Sequence, residues 1–129
     1  MHNYFIKPKH PKPHVGFLRL IGWLMVLAVI VMSLIQLPAT ELPVANSDKW
    51  LHLLTYGWLS YWFFHTYTKQ KVFIVIGFVL LGLGLETLQQ FTPYRHFEWL
   101  DMLMNSTGVL VAFAVFWGLK IRIKWLMVG

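Results

Sequence analysis

The stretch Gly82-Leu-Gly-Leu-Glu86-Thr-Leu-Gln89-Gln90-Phe91-Thr-Pro93-Tyr-Arg95-His-Phe97-Glu98-Trp-Leu-Asp101-Met-Leu-Met-Asn105-Ser-Thr-Gly108 decides how the chain is read. An apolar run ends in a carboxylate and two amides. A short turn bearing Pro93 and Arg95 follows, and a second apolar run opens with Asp101 and Asn105. Both runs are too apolar for a soluble surface, yet each carries polar side chains near its turn end. Polar groups are costly in lipid, so these positions are candidates for a functional site.

Composition places that stretch in a membrane. The chain has 129 residues, 57% hydrophobic and 17% aromatic, with mean hydropathy +0.58. Only 12% of residues are charged, where a soluble domain carries about a quarter. The length allows one domain. The absence of cysteine excludes disulfides and thiolate metal sites. A net charge of +6 would suit a nucleic-acid binder, but the placement of the charges points to membrane orientation instead.

Outward from the deciding stretch, the chain divides into an all-α integral membrane protein, a four-transmembrane-helix bundle. Residues 1–16 form a basic tail in which Lys7, Lys9 and Lys12 alternate with prolines that forbid a regular helix. His2, His10 and His14 could be read as metal ligands; a solvated tail beside an anionic leaflet is preferred. The four-helix domain covers 17–119. Its apolar runs are 17–37, long enough to cross a core of ~30 Å, then about 48–65, 71–91 and 98–119. Ser47 or Asp48 can cap the second helix. A second basic tail, 120–129, closes the chain.

Nine of the eleven Lys and Arg lie on one side: Lys7, Lys9, Lys12 and Arg19 before or at the first run, Lys69 and Lys71 in the second turn, and Lys120, Arg122 and Lys124 in the tail. The opposite side holds Lys49 and Arg95, and all five acids lie on or toward it. The positive-inside rule then places both termini in the cytoplasm of a multi-pass cell-membrane protein.

In that topology the polar side chains converge at one level. Asp48, His52 and Tyr56, at i, i+4 and i+8, share a helix face. Glu86 shares a face with Gly82, Gln89 and Gln90; Asp101, Asn105, Gly108 and Ala112 share another. Small residues on these faces allow close helix packing. Glu86 reads as a proton carrier, ligand group or acid–base catalyst, or as a structural group paired with Arg95 or His52. His52, oriented by Asp48, reads as a base or ligand, or more simply as one half of a structural pair. Asp101 suits the first turn of a helix. Arg95 could grip a phosphate or carboxylate, or neutralise Glu98 and Asp101. Gln89, Gln90 and Asn105 are interhelical hydrogen-bonding partners. The Trp and Phe residues read as lipid-facing or interfacial belts. No metal site and no cofactor is assigned, and no HExxH or GxSxG motif is present.

The pattern Asp48-Lys49-x-x-His52-x-x-x-Tyr56, then Gly82-x-x-x-Glu86-x-x-Gln89-x-Phe91-x-Pro93-x-Arg95-x-Phe97, then Asp101-x-x-x-Asn105-x-x-Gly108, resembles the VanZ-like family. The resemblance covers residues 48–118. It implies a small multi-helix membrane protein and a link to antibiotic resistance, because some members reduce susceptibility to glycopeptides, teicoplanin above all. It implies no mechanism.

The reading that asks least is an outward-facing cluster of Asp48, Lys49, His52, Tyr56, Glu86, Gln89, Arg95, Asp101 and Asn105 that binds a membrane lipid or lipid-linked cell-wall precursor of the cell envelope. An intramembrane enzyme acting on a lipid-linked substrate, with His52, Glu86 and Asp101 as catalytic candidates, is the alternative. A proton-coupled transporter built on Glu86 is the second. Nucleic acid is not expected as a partner.

Overall fold

The computed structural model describes residues 14–35, 47–93 and 97–126, those at 47, 48 and 125 by backbone alone. Among these the chain forms four long helices and no strand: α1 (Val15–Leu34), α2 (Ser47–Thr66), α3 (Lys71–Gln89) and α4 (Trp99–Phe113). Helix α4 continues as a π-helical turn, Ala114–Gly118, and a short 3-10 turn covers Lys124–Leu126. Each helix falls within a few residues of its expected run. Helix α3 ends early because Phe91 and Thr92 donate their N–H groups to Leu88 O and Gln89 O. That tightens the last turn, and Pro93 cannot continue the helix.

Successive helices run antiparallel. Arg19 near the start of α1 bonds to Thr66 at the end of α2, and Ser33 near the end of α1 meets Gln89 at the end of α3. One end of the bundle therefore gathers Arg19, Lys69, Lys71, Lys120, Arg122 and Lys124. The other gathers Glu86, Glu98 and Asp101. We refer to them as the basic and the acidic end.

Among the described residues, three helices have the length and apolarity to cross a bilayer: α1, α3 and α4 with its π-helical extension. Helix α1 buries only a narrow stripe of Leu18, Gly22 and Val26. Phe17, Leu20, Leu24 and Leu27 are exposed on its other faces, as in a helix whose surroundings are hydrocarbon. Helix α2 has the same length as α1, 20 residues, but is less apolar because it carries Lys49, His52, Ser60, His65 and Thr66. It packs on α1, α3 and, most extensively, α4. Lys49, Tyr56, Ser60, His65 and Thr66 are all buried by these neighbours. Polar groups thus lie where other helices, not lipid, surround them.

The contact between α2 and α4 rests on two glycines. A Cβ at Gly108 would stand 2.3 Å from Leu53 O and 3.0 Å from the backbone nitrogen of Gly57. Only a residue without a side chain allows this approach.

Aromatic side chains fill much of the core, which corrects their expected role as lipid-facing belts. Trp62, Phe63, Phe64, Phe78 and Phe116 are buried, while Trp23, Trp50, Trp58, Trp99, Phe73 and Phe91 are exposed. Phe63 packs edge-on against Trp23 and Phe78, with centroids 5.3 and 5.1 Å apart. Phe64 meets Phe113 at 5.9 Å and Phe116 at 5.8 Å. The Phe63 pairs and Phe64–Phe113 are edge-to-face, and aromatic pairs of this kind are each worth about 0.5–1.5 kcal/mol beyond their buried area.

The segment after α4 folds back onto the basic end. Lys120 takes a positive φ of 56°, and Leu126 is buried. The Tyr61 hydroxyl donates to Ile121 O at 2.6 Å. Ile123 N–H donates to His65 Nε2 at 2.8 Å. Since that nitrogen accepts, the imidazole proton is on Nδ1, which donates to Tyr61 O at 2.7 Å. His65 is therefore a neutral structural latch for residues 121–126.

Candidate functional site

The acidic end is built by the first turns of α2 and α4 and the last turn of α3. Asp101 lies in the first turn of α4, where the helix dipole favours a carboxylate. Its Oδ1 accepts from Lys49 Nζ at 2.5 Å, and both side chains are buried. The same Nζ also donates to Glu98. The other carboxylate oxygen of Asp101 lies 3.5 Å from His52 Nε2. One carboxylate thus holds both Lys49 and His52, a turn apart on α2.

Glu86 reaches this group from α3. Its Oε1 accepts the backbone N–H of Glu98, the residue that caps α4, at 2.9 Å. A capping box satisfies that N–H from within a helix; here a buried glutamate of a neighbouring helix does so. Asn105, one turn beyond Asp101, lies against Gly82. A Cβ at Gly82 would stand 3.0 Å from Asn105 Nδ2 and 3.4 Å from Tyr56 Cε1. Side chains of α2 and α4 therefore meet at the bare backbone of α3. Among the described residues, the buried Oδ1 of Asn105 has no hydrogen-bond partner.

Of the residues expected to form one site, Lys49, His52, Tyr56, Glu86, Asp101 and Asn105 come together. Gln89, expected as an interhelical hydrogen-bonding partner, ties α3 to α1: its Nε2 donates to Ser33 O at 2.9 Å. Arg95 and the side chain of Asp48 lie outside the described residues. Lys49 pairs with both Glu98 and Asp101. Sequence reasoning treated Glu98 only as a charge to be balanced. Its place three residues before Asp101, at the start of a helix, was the available signal.

A groove of about 420 Å³ runs between α1 and α2 beside the cluster. Ala28, Val29 and Met32 line one wall; Leu51 and Thr55 line the other. Ser33, His52 and Tyr56 supply its polar part. An apolar cleft with a few convergent polar groups, within the usual range of about 300–1,000 Å³, is the common form of a small-molecule site. The groove wall on α1 was not anticipated, since α1 carried no site residue in the sequence. Ser33 was its one interior polar signal. Among the described residues, no three His, Asp or Glu side chains are grouped as a metal ion would require.

The family model for VanZ/LLP1 matches residues 17–122. The chain belongs to this family. That match takes in all four helices and the whole cluster, and so extends the resemblance carried by residues 48–118 to α1. Searches of curated proteins and of solved structures found no match. The VanZ/LLP1 region begins where α1 becomes apolar and ends at Arg122, whose Nε donates to Phe116 O at 3.1 Å. It thus includes the start of the segment that folds back on α2.

Proposed function

We propose that this VanZ/LLP1 member is a four-span cell-membrane protein with both termini in the cytoplasm, and that its acidic end binds the polar head of an envelope amphiphile at the outer leaflet. The basic residues at one end support the orientation. The burial of α2's polar side chains by its neighbours supports its crossing as the fourth span. The groove between α1 and α2 carries the binding reading, because His52 and Tyr56 stand at once in its wall and beside the carboxylate cluster.

The groove's apolar walls accept the acyl part from the lipid side. Lys49 is already shared by two carboxylates, so the described donors that line the groove are His52, Tyr56 and the hydroxyls of Ser33 and Thr55. This favours a head bearing hydroxyls, such as a sugar, over one recognised by anionic charge alone. Glu86 and Asp101 orient the donors through Glu98, Lys49 and His52. The family link to teicoplanin supplies a consequence: an altered or masked envelope component binds lipophilic glycopeptides less at the membrane surface.

The His52–Asp101 pair also has the form of a base and its orienting carboxylate, which favours intramembrane catalysis on a lipid-linked substrate as the second reading. Both are tested by teicoplanin susceptibility and co-purified lipid profile for wild type, His52→Ala, Tyr56→Phe and Glu86→Gln, each first shown to insert and fold. Binding requires loss of one hydroxyl-rich lipid class from the variants along with the phenotype. A chemically altered lipid that accumulates only with intact His52 establishes catalysis instead. Retention of the wild-type profile and phenotype in all three assigns the cluster a purely structural role.

A further inference from the structure

At the basic end, a second groove of about 450 Å³ lies between α1 and α3, roofed by α2. Its walls are Val26 and Ile30 on α1, Phe63 on α2, and Ile74, Phe78 and Leu81 on α3. Gly77 forms part of its lining, and a Cβ there would meet no atom within 4 Å. On α3 the groove extends from Gln70 to Leu81, roughly 16 Å at 1.5 Å per residue. That is about half of a bilayer core of ~30 Å, the depth of one leaflet.

Each polar group at its mouth can donate a hydrogen bond. The Arg19 guanidinium lies 4.2 Å over the Tyr67 ring and donates through Nε to Thr66 O at 3.1 Å. Both contacts fix the group, and among the described residues its two Nη nitrogens are left for another acceptor. The Tyr67 hydroxyl accepts from Trp23 Nε1 at 3.1 Å, which leaves its own proton to donate. The Gln70 side chain lines the same mouth, and Lys69 precedes it in the exposed turn. Glu86, Glu98 and Asp101, the described acids, are all at the opposite end.

We propose that this groove is a binding site for an anionic diacyl phospholipid of the leaflet at the basic end. One acyl chain lies against Phe63, Ile74 and Phe78, and the phosphate is held by Arg19, Tyr67 and Gln70. A planar guanidinium fixed by stacking and one hydrogen bond presents its remaining N–H pair to phosphate oxygens without further ordering. The site is separate from the acidic-end cluster and does not depend on its function.

Native mass spectrometry of the full chain released from membranes of equal phosphatidylglycerol and phosphatidylcholine tests this. Wild type retains phosphatidylglycerol selectively. Arg19→Gln weakens its retention about tenfold, the loss of one charge-assisted contact. Gly77→Phe, at a lining position where a Cβ meets no atom within 4 Å, adds bulk to the groove and abolishes retention while helicity is kept. Lys120→Gln, at the same end but outside the groove, leaves it unchanged, and excess glycerol phosphate displaces none. Equal retention of both lipids, equal loss in Arg19→Gln and Lys120→Gln, or undiminished retention in Gly77→Phe would overturn the proposal.

Discussion

Lys49 is the residue on which the acidic end depends. Its ammonium is buried and shared between Asp101, also buried, and Glu98, whose side chain is 51% exposed. Removing one partner of a buried ion pair leaves the other charged and unpaired, at about 3–5 kcal/mol. Removing an exposed partner costs about 0–1 kcal/mol. Lys49→Met is therefore expected to lower thermal stability in detergent strongly, and Glu98→Gln only slightly, since the backbone N–H bonded to Glu86 survives. Equal effects of the two would place the ion pair in solvent. The identities of His52, Glu86, Asp101 and Asn105 as cluster members were legible because helical spacing aligned them and their distances from the turns set a common depth. The commitment of Lys49 was not, because it depends on how closely α2 approaches α4. Gln89 makes the interhelical hydrogen bond its position suggests, to Ser33 O of α1. It stands three residues after Glu86, on nearly the same face; Glu86 meets the start of α4, and Gln89 meets α1.

At the scale of elements, the pairing of α2 with α4 fixes the site. His52 and Tyr56 come from one helix and Asp101 and Asn105 from the other, and the Gly57–Gly108 contact sets their separation. Gly108→Ala would drive a methyl into Leu53 O. Overpacking of this kind costs about 1–3 kcal/mol. Gly84→Ala meets no atom within 4 Å and is expected to stay within about 0.5 kcal/mol of wild type. Thermal unfolding of both variants in the same detergent checks the contrast; a tolerated Gly108→Ala would mean that the helices stand farther apart. The helices themselves were legible as apolar runs bounded by Pro, Lys and capping residues. Which faces met was only partly so. A helix apolar on every side carries no amphipathic signal to separate lipid-facing from packed aromatics, and so Phe63, Phe64 and Phe116 were read as belt residues when they are core.

For the whole molecule, charge asymmetry is the organising feature. The described acids share one end and most of the bases the other. By the positive-inside rule, this asymmetry supports the proposed topology, with the basic end in the cytoplasm. Single cysteines at Phe91, exposed in the α3–α4 turn, and at Gln70, exposed in the α2–α3 turn, report it. An impermeant maleimide applied to intact cells should label the first and not the second. The reverse result inverts the orientation and would move the acidic-end site to the cytoplasmic leaflet.

The most direct measurement of the proposed function is photo-cross-linking from inside the α1–α2 groove. A photoreactive side chain at Thr55, in the groove wall, is compared with one at Trp58, an exposed residue on the separate groove between α2 and α4. Binding of a hydroxyl-bearing amphiphile predicts an adduct of one lipid class at Thr55 that is absent at Trp58 and lost when His52→Ala is added. The same mixture of bulk phospholipids at both positions, unaffected by His52→Ala, would contradict it.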